Sequence, residues 1–191
     1  MKIYGVPLSP FTRKVLMVLQ LKGLDYELVA TNPGTRTPEY LAISPLGKIP
    51  ALVDDEAVIC DSSVILQYLE ETYPEVALLP ESPAARARTR WLEEYADSVV
   101  APAIIPLFWE LVVKPLLMKE QPNMDLVNEV REKRFPAMAD YLEQQVPIKG
   151  FFAGLPGGAG QPEEPDRFGW ADLSIVTHFM NGSYVDHRVD A

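Results

Sequence analysis

Short strand-like runs and helical stripes alternate over the first 72 residues of this chain, whereas from residue 86 onward the apolar positions keep a helical period. Residues 2–6 read as a short strand. Residues 10–21 read as a helix, because Val15, Leu16, Val18 and Leu19 form one apolar stripe and Gly23 supplies a C-terminal stop. Residues 25–29 alternate like a second strand, and residues 38–43 give one helical turn or two. Residues 51–53 and 57–59 predict a hairpin closed by the acidic turn Asp54-Asp55-Glu56. A helix over 62–72 follows, since Asp61-Ser62-Ser63 ahead of Val64-Ile65-Leu66 reads as a capped start.

Residues 73–85 carry Pro74, Pro80 and Pro83 and no sustained period, which marks a linker. Beyond it, 86–119 and 123–146 are helical by spacing, as in Leu126, Val130, Phe135, Met138, Tyr141 and Leu142. Residues 154–165 are rich in Gly and Pro and read as a loop. One more helix starts at Trp170 and runs to Phe179, before a polar tail. The order strand-helix-strand, then strand-strand-helix, is that of a thioredoxin-like α/β domain, and the remainder is an all-α bundle. The predicted organisation is therefore a thioredoxin-like domain over 1–78, a linker over 79–85 and an all-helical domain over 86–191.

Composition narrows the function classes. With 191 residues and 48% hydrophobic content the chain can bury one sizeable core or two small ones. Its 17 basic and 27 acidic residues give a formal charge of −10, which opposes nucleic acid and anionic membranes as partners. The charge is shared, −4 in residues 1–78 and −6 in the rest, so neither half is basic. Cys60 is the sole cysteine, which rules out an internal disulfide and suits a reducing compartment; at a strand end it reads as a small buried hydrophobe. The N-terminus lacks the long apolar region of a signal peptide, and the expected location is cytoplasmic. The most apolar stretch, 99–113, is broken by Pro102, Pro106 and Glu110, falls short of the roughly 20 residues of a membrane span and reads as a buried helix. His178 and His187 lack partners at ligand spacing, so no metal site is expected.

Two features suggest a ligand. Pro50 lies between apolar stretches and donates no ladder hydrogen bond, so it marks where a strand begins and leaves the backbone before it available. The helix start at Asp61-Ser62 offers unpaired N–H groups and partial positive charge, suited to a carboxylate. Together they fit a peptide-like ligand with a free carboxylate.

These residues lie in a wider pattern. Ser9-Pro10-Phe11-Thr12-Arg13-Lys14-Val15 after the first strand, Gly47-Lys48-Ile49-Pro50-Ala51-Leu52, Asp61-Ser62 and Trp170-Ala171-Asp172-Leu173 together resemble the cytosolic glutathione transferases, of a serine-type, bacterial-like kind, along the whole chain. The resemblance implies glutathione as co-substrate, a small apolar electrophile as second substrate, a detoxifying role and a homodimer. It implies a cis Pro50 and backbone pairing of Ile49 with the cysteinyl part of glutathione. Asp61 and Ser62 would hold the γ-glutamyl amine and carboxylate, with Lys48 in support, and Arg36 would face the glycine carboxylate. Alternatives within the same fold are a non-catalytic adaptor or ligand carrier, or a glutathione-dependent isomerase or dehalogenase.

Ser9 is the catalytic candidate, as a donor to the glutathione sulfur at a helix N-terminus. The other reading of Ser9 is a plain N-cap ahead of Pro10. Thr12 is the substitute donor, or else helix packing. Because both ends of Ser9-x-x-Thr12 are hydroxyls, no redox disulfide forms at the place where thioredoxins carry one. The resemblance puts the electrophile pocket between the first-strand loop and the helical domain, with Leu8, Phe11, Phe108, Trp109 and Val112 as candidates. Gly169 stands where the family usually has Ser or Thr, which removes half of a capping box but leaves Asp172 able to reach a backbone N–H. Only 19 residues follow Asp172, where the family continues for several helices. An incomplete chain is the expectation, and a shortened helical domain the alternative.

Overall fold

The computed structural model describes residues 1–145, 151–152 and 168–186. The predicted loop over 154–165 and His187 lie outside the described residues. The chain divides into two compact units, Met1–Leu78 and Leu79–Ala191.

The first unit contains β1 (Lys2–Gly5), α1 (Pro10–Leu21), β2 (Glu27–Ala30), α2 (Pro38–Ile43), β3 (Ala51–Val53), β4 (Val58–Cys60) and α3 (Ser62–Thr72). Its sheet has the order β2-β1-β3-β4, with β1 and β2 parallel across the α1 crossover and the other pairs antiparallel. Ile3 and Leu52 on the strands, Val15 and Leu19 on α1, and Ile65 and Leu69 on α3 are completely buried. Each contributes on the order of 1.5–3 kcal/mol of apolar burial.

The hairpin departs from expectation by one residue. Asp54 Oδ1 accepts from the N–H of Glu56 at 2.9 Å and of Ala57 at 2.8 Å, and Asp54 N–H donates to the Ala57 carbonyl at 3.0 Å. Ala57 is thus used up in the turn, and β4 runs from Val58 to Cys60. This register puts Val58 and Cys60 on the outer face of an edge strand, which corrects the expectation that Cys60 is buried; it is exposed.

A buried charge cluster, without any signature in the local sequence pattern, closes the unit. Lys22 Nζ, at the end of α1, lies 2.8 Å from Glu70 Oε2 on α3 and donates to the carbonyls of Tyr73 and Val76 at 2.8 Å each. Glu70 Oε1 accepts from Leu78 N–H at 2.8 Å. Each charge faces its opposite, and the two carbonyls on Lys22 and the backbone N–H on Glu70 offset part of the cost of burying the pair.

In the second unit α4 spans Pro83–Tyr95, so the last three residues of the predicted linker are its first turn. Ser82 Oγ caps it by accepting from Ala85 N–H at 3.1 Å, with Pro83 at the first position, where its missing donor costs nothing. The helix continues through a π segment (Ala96–Val100), α5 (Ala101–Phe108) and a second π segment (Trp109–Met118). Pro106 lies inside α5 and Pro115 inside the second π segment; each ring removes a donor and crowds the turn before it, and the adjoining turns widen. The run Pro83–Met118 is 36 residues long and holds an 18-residue window apolar enough to cross a membrane by length and composition alone. That corrects the reading that proline interrupts it below such a length. Its inner side forms the core of the unit, where Leu92, Val100 and Ile104 meet Met138, Leu142 and Ile175.

The predicted helix over 123–146 is α6 (Met124–Glu129), a third π segment (Val130–Arg134) and α7 (Phe135–Gln145), capped by Asn123 Oδ1 on Leu126 N–H at 3.2 Å. Finally α8 runs from Trp170 to Asp186, beyond the predicted end at Phe179. Asp172 accepts from Gly169 N–H at 3.0 Å, as expected, and also from Phe152 N–H at 2.7 Å.

Glu110 is buried in the second π segment, where its carboxylate accepts from Asn123 N–H and Lys114 Nζ at 2.7 Å each. These bonds, the backbone one first, hold its pKa below the ordinary glutamate value. A depressed carboxylate adds stability above its unfolded pKa and loses it as pH falls through the folded one. Glu110→Gln is therefore expected to lower the melting temperature at neutral pH, and the gap to wild type to close on acidification below about pH 4. A gap independent of pH, measured by thermal denaturation, would contradict the assignment.

Candidate functional site

The register of the sheet assembles the site. Tyr4 on β1 pairs with Ala51 on β3, and Ala51 pairs with Cys60 on β4. The loop after β1 that carries Ser9, the Ile49-Pro50 segment before β3 and the Asp61-Ser62 turn after β4 therefore all leave the same end of the sheet. At about 4.8 Å between neighbouring strands, this row is roughly 10 Å wide. An extended tripeptide covers about the same distance.

Ser9 is the N-cap of α1, its Oγ accepting from Thr12 N–H at 3.3 Å, with Pro10 next. Capping uses an oxygen lone pair and leaves the O–H to be donated. Thr12 is completely buried, and its hydroxyl makes no hydrogen bond among the described residues. It packs on β1 so closely that a Cβ at Gly5 would lie 2.5 Å from Thr12 Oγ1. Thr12 thus packs the β1–α1 contact and does not face solvent, which favours the packing reading of Thr12 over that of substitute donor.

The Ile49-Pro50 peptide bond is cis, as the resemblance implies. Ile49 and Pro50 are buried, yet neither the N–H nor the carbonyl of Ile49 is in a hydrogen bond among the described residues. Behind them, the Lys48 carbonyl accepts two hydroxyls, from Tyr40 Oη at 2.6 Å and Ser44 Oγ at 2.8 Å. Gly47 has φ +64°, and its carbonyl accepts from Gly34 N–H at 2.9 Å. A Cβ there would sit 2.7 Å from the Thr35 carbonyl and 3.5 Å from Arg36 Nε. Arg36, 14 residues before Pro50 in sequence, is thereby laid against the segment leading to Ile49, and both Arg36 and Lys48 are exposed cations.

Asp61 caps α3, its Oδ1 accepting from Ser63 N–H at 3.0 Å and Val64 N–H at 3.3 Å. It has φ +134°, a conformation that costs a non-glycine residue about 1–3 kcal/mol and that persists mostly at functional sites. The cap leaves the N–H of Ser62 as the first unclaimed donor of an 11-residue helix. Ser62 is 4% exposed, so a ligand there meets a nearly enclosed donor.

The apolar candidates divide. Leu8 is exposed and Phe11 half-buried in the first unit. In the second, Phe108 is core, packed with Leu107, Val127 and Val130; Val112 covers that cluster from outside, and Trp109 is exposed. A cavity of about 490 Å³ does exist, but at the opposite end of the sheet, among residues 1–2, 25–27 and 53–55. Asp25, Glu27, Asp54 and Asp55 line it, a charge that opposes an anionic ligand. Among the described residues no group of three or more His, Cys, Asp or Glu is arranged to hold a metal ion.

Residues 3–77 match the model of the glutathione S-transferase N-terminal domain. The chain is 37% identical over 92% of its length to a zeta-class glutathione S-transferase of Euphorbia esula, of which it covers 72%. The chain belongs to the glutathione S-transferase family. It is also 39% identical to glutathione S-transferase 3 of Zea mays over 61% of its own length, spanning 54% of that protein. Among solved structures, a glutathione S-transferase from Rhodospirillum rubrum aligns with a TM-score of 0.80 at 29% identity, over 96% of this chain and 78% of the other. As in those family members, a thioredoxin-like unit is followed by a helical one.

Three features that shape this candidate site have no motif in the sequence. Tyr40 reads as an ordinary helix position and Ser44 as the residue just past the helix, and only their spacing of four hints that they lie on one side. The positive φ of Asp61 has no signal at all, because Asp before a helix reads as a cap whatever its backbone angle. Gly47→Ala combines a left-handed φ with a backbone collision, so it is expected to destabilise the protein by more than about 1 kcal/mol. Thermal denaturation with and without glutathione should show both a lower melting temperature and a smaller stabilisation by ligand.

Proposed function

We propose that this chain, as a member of the glutathione S-transferase family, joins the sulfur of glutathione to a small apolar electrophile, with Ser9 as the thiolate-stabilising donor. The observation that carries this reading is the unpaired backbone of Ile49 lying in one row with the N-termini of α1 and α3. The cysteinyl backbone of glutathione pairs with Ile49. The γ-glutamyl end meets Asp61 and the Ser62 N–H, and Arg36 and Lys48 serve the carboxylates. That order sets the sulfur toward Ser9, where a hydroxyl donor and the positive end of a 12-residue helix both favour thiolate.

The chemistry is modest at the sulfur. A thiol of pKa about 8.5 is about 3% ionised at pH 7, and lowering it by two units raises that fraction about 25-fold. Nucleophilicity falls with pKa at a slope of about 0.4–0.5, which returns all but a few-fold. Most of the rate must then come from holding thiolate and electrophile together. Leu8 and Phe11 in the first unit, and Trp109 and Val112 in the second, remain separate candidates for apolar contact with the electrophile, whereas Phe108 is a core residue. A serine-type, cytoplasmic homodimer with a detoxifying role is the setting we propose.

Glutathione at about 100 times its dissociation constant should stabilise the protein by about 2.7 kcal/mol in a thermal shift assay. Ser9→Ala is expected to keep that stabilisation. Its neutral-pH conjugation rate should drop several-fold as the acid limb of the rate profile moves toward the free thiol value near about 8.5. Ser62→Ala should lose the stabilisation itself. An unchanged pH profile in Ser9→Ala would remove Ser9 from the chemistry, and no shift with millimolar glutathione in wild type would overturn the whole reading.

A further inference from the structure

We propose that Tyr40 and Ser44 are positioning residues of the glutathione site, a pair of buried hydroxyls that hold the Lys48 carbonyl from behind and thereby aim the Ile49 N–H at the ligand. The proposal rests on the glutathione reading above.

Tyr40 and Ser44 are 5% and 1% exposed and stand four residues apart at the end of α2. Tyr40 Oη lies 2.6 Å and Ser44 Oγ 2.8 Å from the same oxygen, so both of its lone pairs are used. One bond satisfies a buried carbonyl, and two from different side chains fix its direction. The Lys48-Ile49 peptide is trans, the cis bond being the next one. In a planar trans peptide the C=O and the N–H leave opposite edges of one plate. Locking the Lys48 carbonyl toward α2 therefore locks the Ile49 N–H in the opposite direction, away from α2.

The plate would otherwise be free to turn. Gly47 before it has a left-handed φ of +64°, one of the many backbone conformations open to glycine, and Lys48 is exposed and anchors nothing with its side chain among the described residues. The loop is drawn onto α2 a third time by Gly47 N–H donating to the Ser44 carbonyl at 2.8 Å. Burial, partly offset by the contact with Ser44, pushes the Tyr40 phenol above its ordinary value, so it remains an O–H donor across the neutral range. A rotation of the plate misaligns the bond to the ligand, and hydrogen bonds weaken steeply with angle. The cost of losing a clamp thus falls on glutathione affinity and not on the sulfur chemistry.

The test compares wild type, Tyr40→Phe, Ser44→Ala and the double variant by steady-state kinetics and by calorimetric binding of S-methylglutathione, which cannot react. Each single change should raise KM for glutathione and Kd for S-methylglutathione about three- to tenfold, with a larger effect in the double variant. The value of kcat at saturating glutathione and KM for the electrophile should stay within about twofold of wild type. Tyr40→Phe keeps the buried ring, so it decides the matter even where Ser44→Ala fails to fold. Unchanged glutathione KM and Kd in folded Tyr40→Phe, or a loss in kcat alone, overturns the positioning role while leaving the glutathione reading intact. Absence of S-methylglutathione binding by wild type overturns both.

Discussion

The antiparallel pairing of β1 with β3 joins Tyr4 to Ala51, across a loop that contains α1, β2 and α2. Closing a loop of that length costs about 3–4 kcal/mol of chain entropy beyond a constant. The buried faces of Ile3 and Leu52, with Val15, Leu19, Ile65 and Leu69 laid over them, return several times that amount. Once the pairing exists, β4 has a register, and the three segments that carry Ser9, Ile49 and Asp61 have a common edge. No one of these segments forms a site alone; their spacing is the spacing of strands.

In the proposed site most of the recognition falls to backbone. Ile49 offers its N–H and carbonyl, Ser62 its N–H, and Asp61 a side chain already half committed to capping α3. Backbone groups are identical in every residue, so what matters is how firmly they are held. Here they are held from behind, by Tyr40 and Ser44 on the Lys48 carbonyl, by Gly34 on the Gly47 carbonyl, and by the turn at Asp61 whose φ is +134°. The proposed catalysis asks for something different, a single donor at the sulfur, and Ser9 has an O–H left over after capping α1.

The helical unit obeys other constraints. A 36-residue helical run containing three inner prolines survives because its turns widen locally and because Leu92, Val100 and Ile104 are held in a core by α7 and α8. Buried polar groups tie down its loops. Glu110 fixes the segment before α6 through Asn123, and Asp172 anchors Phe152 as well as its own helix start. In each case a charge brought inside is surrounded by donors, so burial costs little and the connection becomes specific.

Periodicity, caps and turn residues were enough to locate every strand and nearly every helix, because those signals are local: the stripe of α1, the Asp54 turn, the Asp61 cap. The residues of the proposed glutathione site could be named from the sequence as well, Pro50 and the Asp61-Ser62 start from their backbone demands, and Ser9, Arg36, Lys48 and Ile49 through the family resemblance. Side-chain fates could not. Cys60 reads as buried and is exposed, because alternation along the edge strand β4 turns it outward with Val58, and of the two readings of Thr12 the approach of Gly5 favours packing by enclosing it. The length of α8, the run through Pro106 and the burial of Lys22 with Glu70 were equally hidden. All of these depend on which distant surface arrives opposite a residue, and only the assembled tertiary structure decides that.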